Sequence, residues 1–184
     1  MRHITISKLG FLLTSTVLLL LTSVACTGDQ FSGSDQDQGE AGNKVTVTDE
    51  MNELISKYIV EYYEDKFFPT EKQFEAHHVY GAAVIDDTVE VYMKSLYLGF
   101  NRATGEEAQS GRSGPLLIKL KEDNGSYTFD GLREPMDGSY YLESIKEMFP
   151  REYADQAIHD EGEQDQLEDE ILKKIAAWLE ESET

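Results

Sequence analysis

The stretch FEAHHVYGAAVIDDTVEVYMKSLYLGF, residues 74–100, decides the fold, because apolar and polar side chains alternate along it. A period of two is typical of β-strands, and Asp86-Asp87 interrupts the alternation as a turn would. The pattern predicts an antiparallel hairpin with one face on a core and the other, which includes Glu90 and Lys94, partly exposed to water. With a two-residue turn, the core face consists of Val84, Ala82, Tyr80, His78, Val89, Val91, Met93 and Ser95.

A second hairpin follows, because alternation resumes at residues 116–121 and 127–133 on either side of Asn124-Gly125. Asn-Gly is the strongest short hairpin signal, since both residues accept a positive φ. A two-residue turn at this dipeptide places Phe129 opposite Leu120. Together the two hairpins predict a four-stranded antiparallel sheet.

Helical periodicity flanks the two hairpins. Thr48 can cap a helix whose apolar face recurs at Met51, Ile55 and Ile59. Downstream, residues 139–149 and 150–157 are typical of short helices. A last helix has an apolar stripe formed by Leu167, Ile171, Leu172, Ile175, Trp178 and Leu179. The predicted fold class is α+β, a four-stranded antiparallel sheet of two hairpins with one N-terminal helix and two or three C-terminal helices.

Residues 1–25 have the layout of a secretory signal peptide, in which Arg2 and Lys8 precede an uncharged apolar run. That run is short for a membrane-spanning helix, which needs about 20 apolar residues. TSVAC, which ends at the single cysteine, Cys26, resembles the bacterial lipobox, although Ser23 stands where Leu is usual. The resemblance implies cleavage before Cys26 and lipid attachment to its thiol, at the outer face of the cell membrane. Ordinary secretion and an uncleaved anchor are the alternatives.

Composition divides the rest of the chain into three parts. Residues 26–44 are rich in Gly, Ser, Asp and Gln, and they predict a flexible tether because they offer little apolar area to bury. Residues 45–158 form the predicted α+β domain. Residues 159–184 are predicted to be an acidic joint and a C-terminal amphipathic helix.

The charge balance excludes two classes of partner. The protein has 16 Lys and Arg against 36 Asp and Glu, a net charge of −20. Loss of residues 1–25 removes two basic residues and no acid, which leaves −22. Nucleic acid is excluded because binding it requires a basic face. Electrostatic attachment to anionic lipid is equally unfavourable, so the predicted membrane contact is the lipid on Cys26. An envelope protein or a cationic partner is the remaining class.

Residues 99–115 are predicted to be a long polar loop between the hairpins, and loops of that length on a rigid scaffold often carry function. A guanidinium on such a loop suits a carboxylate or phosphate, and paired tyrosines could line a groove. The predicted ligand-binding residues are Arg112, Arg102, Tyr140 and Tyr141. In the competing interpretation, Arg112 pairs with Glu106 or Glu107, an exposed pair worth about 0–1 kcal/mol.

The histidines and serines predict neither a metal site nor a cofactor. His77 and His78 are strand neighbours that point to opposite faces, so they cannot easily bind one ion together. We expect His78 in the core near Ser95, His77 beside an acid, and His159 in an exposed acidic stretch. Ser110 and Ser113 lack the Gly-x-Ser-x-Gly elbow of hydrolases. No catalytic residue is predicted, and an envelope hydrolase with an unrecognised site is the alternative function.

Three segments, residues 77–100, 110–120 and 133–150, resemble an uncharacterised extracytoplasmic domain of Firmicutes lipoproteins. Similar segments lie beside membrane metallopeptidase sensors of the β-lactam-antirepressor type. The peptidase motif His-Glu-x-x-His is absent from this sequence, so no protease activity is implied. The resemblance implies a lipid-anchored binding or accessory, sensory domain of a bacterial cell envelope.

Overall fold

The computed structural model describes residues 42–159 and 163–181, which form an α+β fold with an antiparallel sheet and four helices. The helices are α1 (Asp49–Glu64), α2 (Tyr141–Met148), α3 (Arg151–Ile158) and α4 (Glu163–Glu180). The strands are β1 (Asn43–Lys44), β2 (Lys72–Ile85), β3 (Thr88–Phe100), β4 (Ser110–Asp123) and β5 (Ser126–Arg133). They lie in the order β1-β2-β3-β4-β5, so the α+β class is confirmed and the count of four strands is wrong.

The additional strand is β1, in which Asn43 pairs with Val84 and Lys44 with Ala83. Both residues fall inside the predicted tether. β1 has no alternating pattern of its own, and its conformation comes from the edge of β2 that it contacts. The predicted signal peptide, Cys26 and residues 26–41 of the predicted tether lie outside the described residues, as do residues 160–162 of the acidic joint. No described helix is long and apolar enough to cross a membrane.

Both predicted hairpin turns are confirmed. Asp86 and Asn124 have φ angles of 53°, and Gly125 has a φ of 80°. These left-handed conformations match the right-handed twist of the flanking strands. Leu120 lies opposite Phe129, as the two-residue turn at Asn124-Gly125 predicts.

A β-bulge between Val79 and Gly81 changes the register of the first hairpin. Beyond it, His77 rather than His78 lies opposite Ser95. Tyr80 consequently belongs to the sheet face opposite Ala82 and Val91. The prediction that Tyr80 and His78 share the face of those residues is therefore wrong, because the extra residue inverts the alternation of β2.

Helices cover both faces of the sheet. α1 packs on one face, where its Met51, Ile55 and Ile59 join a core with β3 and β4. The opposite face carries α2 and α3 over one half and α4 over the other. The prediction of a partly exposed second face is wrong, because the three C-terminal helices contribute the apolar residues that cover it.

Eight of the 17 residues in the predicted loop 99–115 belong to strands. β3 continues to Phe100 and β4 begins at Ser110, so only residues 101–109 connect them. A Cβ at Gly111 would run into the carbonyl oxygen of Tyr97. This glycine therefore permits close approach of two strands rather than a mobile turn.

Candidate binding surface at residues 136–142

Four large apolar side chains are exposed within one seven-residue segment that follows β5 and includes the first two residues of α2. Their exposed fractions are 52% for Met136, 59% for Tyr140, 38% for Tyr141 and 52% for Leu142. Six large apolar side chains are exposed in the described chain, so this segment holds most of them. We call these four residues the 136–142 surface. Concentrated exposed apolar area of this kind is typical of interaction sites.

Hydrogen bonds from one buried serine hold the segment in place. The backbone N–H of Met136 donates to Ser144 Oγ at 2.9 Å, and the same hydroxyl donates to the Tyr141 carbonyl at 2.8 Å. Gly138 makes the bend between them with a φ of 72°, a conformation that favours glycine. The apolar side chains therefore stand on a fixed backbone, which lowers the ordering entropy that binding would cost.

Arg112 lies beside this surface, in β4 rather than on a loop. Its Nε is 3.1 Å from Glu134 Oε1, and its Nη1 donates to the hydroxyl of Tyr63 at 2.9 Å. The Tyr63 hydroxyl in turn donates to Glu134 Oε1 at 2.7 Å. Burial raises the pKa of Tyr63 well above its usual value, with Arg112 acting in the opposite direction, so this hydroxyl stays protonated and donates.

This cluster corrects the expected partner of Arg112. The carboxylate is Glu134, from the residue after β5, and neither Glu106 nor Glu107. The guanidinium side chain is 18% exposed and it also lies 5.3 Å from the centre of the Tyr63 ring. Arg112 therefore acts mainly as a support for the strand end from which the 136–142 surface begins.

The predicted site residues divide into two groups. Gly114 lies between Arg112 and Tyr141, because a Cβ built on it would be 3.1 Å from Arg112 Nη2 and 4.0 Å from the Tyr141 hydroxyl. Arg112, Tyr140 and Tyr141 thus share one region. Arg102 does not join them, because its Nη1 donates to the Trp178 carbonyl of α4 at 3.0 Å and its guanidinium lies 4.2 Å from the centre of that indole.

His77 forms a buried polar cluster on the α1 side of the sheet. Its Nδ1 is 3.2 Å from both carboxylate oxygens of Glu75, and its Nε2 is 3.1 Å from Asn52 Oδ1. The expectation that His77 lies beside an acid is confirmed. The expectation that His78 lies near Ser95 is wrong, because the bulge moves His78 to the other face, where its ring is 5.7 Å from that of Tyr80.

The described serines near these residues are not arranged as nucleophiles. Ser95 Oγ donates to Glu75 Oε1 at 3.0 Å, Ser110 Oγ to the Phe68 carbonyl at 3.1 Å, and Ser113 Oγ to Gln164 Oε1 at 2.6 Å. A nucleophilic serine gives its proton to a neighbouring base and must reach its substrate; Ser95 has a base in Glu75 but is fully buried. His159 contacts the Asp155 carbonyl at 2.9 Å. Within the described residues, no group of three or more His, Cys, Asp or Glu is placed to hold a metal ion.

Sequence reasoning selected the two tyrosines of the surface and missed its other members, Met136 and Leu142. A signal for Leu142 was present in Tyr140-Tyr141-Leu142, since three consecutive apolar residues cannot all face the core from one helix. Ser144 and Glu134 carry no comparable signal, because their roles depend on contacts made across the fold. Comparisons with protein-family models, curated proteins and solved structures find no match for this chain.

Proposed function

We propose that this protein is a lipid-anchored binding domain at the extracytoplasmic face of a bacterial cell membrane, and that the 136–142 surface contacts a protein partner. The observation that carries the binding role is the concentration of four exposed apolar side chains on a backbone fixed by Ser144. Tyr and Met are enriched in protein interfaces, where they provide large contact areas.

The partner is expected to have an apolar centre and a basic rim. Asp137 and Glu143 are exposed within or next to the surface, and the protein as a whole has a net charge of −20. Complementary charge at a rim speeds encounter and disfavours wrong partners more than it adds affinity. An envelope protein with exposed lysines or arginines around an apolar pocket meets both requirements.

A binding role is favoured over the hydrolase alternative by the serine geometry. A hydrolase would need a nucleophile within hydrogen-bond reach of a base. Ser95 has such a base in Glu75 but is fully buried, and the hydroxyls of Ser110 and Ser113 donate to a carbonyl and an amide oxygen, which are not bases. The buried His77 cluster then has a structural role, in which it satisfies polar groups under α1.

The binding proposal is tested by photo-crosslinking in cells. A photoreactive phenylalanine analogue at Tyr140 should give a discrete crosslinked product, and the same analogue at Tyr127 of β5 should not. Leu142→Ser should weaken that product by about tenfold, because it removes apolar area from the contact. This variant should fold normally, since exposed substitutions usually change stability by less than about 0.5 kcal/mol. Identical products from positions 140 and 127 would contradict the proposal.

The anchoring proposal is tested by metabolic labelling with a fatty-acid analogue. The wild-type protein should incorporate the label, and Cys26→Ser should lose it and leave the membrane fraction. Two acyl chains make stable anchoring, since each buried methylene contributes about 0.8 kcal/mol. A labelled Cys26→Ser protein would show that the attachment site lies elsewhere.

A further inference from the structure

The outer edge of β2 is open over most of its length. β2 has 14 residues, and β1 pairs with only Ala83 and Val84 on that side. Within residues 42–159 and 163–181, no other strand lies beside this edge. The stretch from Lys72 to Gly81 is therefore free of strand pairing there, and natural sheets usually protect such edges.

The backbone groups of this open edge face a groove. Lys174 Nζ of α4 donates to the Glu75 carbonyl at 2.7 Å, so that carbonyl points away from β3. Alternate residues of an antiparallel strand present their N–H and C=O groups to the same side. Gln73 and His77 therefore present theirs to the groove as well, while Phe74 and Ala76 bond to β3.

Two helices form the walls of the groove. Two hollows of about 630 and 440 Å³ adjoin along β2, and Ser56 of α1 lines both. The first lies over His77, His78 and Val79, and the second over residues 72–75. α4 closes the other side through Glu170 and Lys174. A groove of this shape can hold an extended peptide that pairs with the edge of β2 and lies between α1 and α4.

The charges of the groove differ between its two ends. Glu53 and Glu170 line the first hollow, and no Lys or Arg is among the described residues that line it. Lys57, Lys72 and Lys174 line the second hollow together with Glu61 and Glu75. In the free protein Glu170 pairs with Lys174 at 2.6 Å, so a basic side chain of an occupant is favoured at the first hollow by Glu53, and by Glu170 once it displaces Lys174. A second copy of this chain is disfavoured because each copy has a net charge of −20.

We propose that the outer edge of β2 binds an extended segment of a basic partner protein by strand addition, with a Lys or Arg of that segment between Glu53 and Glu170. The backbone of the segment pairs with Gln73, Glu75 and His77. In the free protein the Lys174 ammonium donates a hydrogen bond to the Glu75 carbonyl. In the complex a backbone N–H of the partner segment replaces it as the donor. This interaction is separate from the 136–142 surface and does not depend on it.

The test uses the mature chain and a labelled ten-residue peptide of alternating Lys and Val as the probe. Fluorescence anisotropy should show binding that is at least tenfold weaker for Glu53→Lys and Glu170→Lys, and unchanged for the control Asp169→Lys. Asp169 is an exposed neighbour that lines neither hollow. A peptide of alternating Glu and Val should not bind. Lys174→Met should bind the probe several times more tightly, because the Glu75 carbonyl is then unoccupied and Glu170 has lost its ion-pair partner.

Amide hydrogen exchange, measured residue by residue by NMR, separates strand addition from simple charge attraction. The probe should slow exchange at Gln73, Glu75 and His77, while the amides of Phe74 and Ala76 are protected with or without it. Binding without new protection at these three amides would overturn the proposal, and so would failure of the probe to bind. A dimer found by light scattering without the probe would assign the edge to a second copy instead.

Discussion

A hydrogen-bonded cluster lies where α1, β4 and the end of β5 meet. It consists of Arg112, Tyr63 and Glu134, which serve as hydrogen-bond partners for one another. The Tyr63 hydroxyl donates to the same Glu134 oxygen that Arg112 contacts, and it accepts from Arg112. Removal of any one of these side chains should lower the stability of the fold, because the remaining polar groups each lose a hydrogen-bond partner at a partly buried position. It also fixes the start of the segment that carries the 136–142 surface.

Arg112→Ala is expected to lower the free energy of unfolding by about 1–2 kcal/mol, because it removes charged hydrogen bonds from a carboxylate and a buried phenol. Because Glu134 is partly exposed, the loss in free energy of unfolding is smaller than for a fully buried ion pair. Arg133→Ala, at an exposed position of β5, makes the same change in charge and should cost much less. Urea unfolding of both variants measures the difference. Equal midpoints for the two variants would show that Arg112 contributes no more than an exposed charge.

The environments and partners of single residues were less predictable from the sequence than the elements that contain them. The alternation of the first hairpin is clear, yet one extra residue at the bulge exchanges the environments of His77 and His78. The partner of Arg112 was sought among its sequence neighbours and is Glu134, which the β4–β5 hairpin brings close. Contacts between distant positions depend on register, and register errors of one residue reverse every side chain beyond them.

At the scale of elements, local sequence signals predicted the two hairpin turns. They did not predict the bulge in β2 or the short strand β1. Asp86-Asp87 and Asn124-Gly125 specify their turns through residues that accept positive φ. Gly81 carried a signal that was available, because an isolated glycine in a strand often marks a bulge. β1 carried no usable signal, since a two-residue strand has no periodicity and its conformation comes from the edge that it joins.

Gly81→Ala is expected to destabilise the protein by about 1–3 kcal/mol through overpacking. A Cβ at this position would run into the ring of Tyr153, which is buried and lies 5.2 Å from the centre of the Tyr92 ring. The added Cβ would therefore force the Tyr153 ring, the bulge or α3 to shift. Gly131→Ala in β5 is the control, because no heavy atom lies within 4 Å of its Cβ.

Thermal unfolding followed by circular dichroism distinguishes the two glycines. The control should melt at the wild-type temperature or slightly above it, since alanine has fewer unfolded conformations than glycine. Gly81→Ala should melt several degrees lower. If both variants melted together, Tyr153 would not constrain the bulge as the packing indicates.

At the scale of the whole molecule, the fold leaves two kinds of surface outside its two covered sheet faces. One is the 136–142 surface, where apolar side chains remain exposed at the start of α2. The other is the open edge of β2, where backbone groups remain available between α1 and α4. The class of the fold could be predicted from alternation and helical periodicity. The two surfaces could not be predicted in this way, because their exposure depends on which parts of the sheet the C-terminal helices cover.

The boundary between tether and domain is tested by shortening the chain from its N-terminus. A chain that begins at Gly42 should melt like one that begins at Cys26, because residues 26–41 have a composition that buries little apolar area. A chain that begins at Thr48 should be less stable by about 2–4 kcal/mol. It lacks Val45 and Val47, which pack against the α1 core, and it lacks the hydrogen bond from Val45 N–H to the Ala82 carbonyl at 3.0 Å.

Differential scanning calorimetry of the three chains places the boundary. The pairing of Asn43 and Lys44 with β2 puts the boundary before Asn43, two residues earlier than the composition alone predicts. A lower melting temperature for the chain that begins at Gly42 would mean that residues 26–41 also pack on the domain. If the chain that begins at Thr48 melted unchanged, β1 and the two valines would not stabilise the edge of the sheet. In the chain that begins at Thr48, which lacks β1, the open edge of β2 extends to its last residue, with room for a longer partner strand.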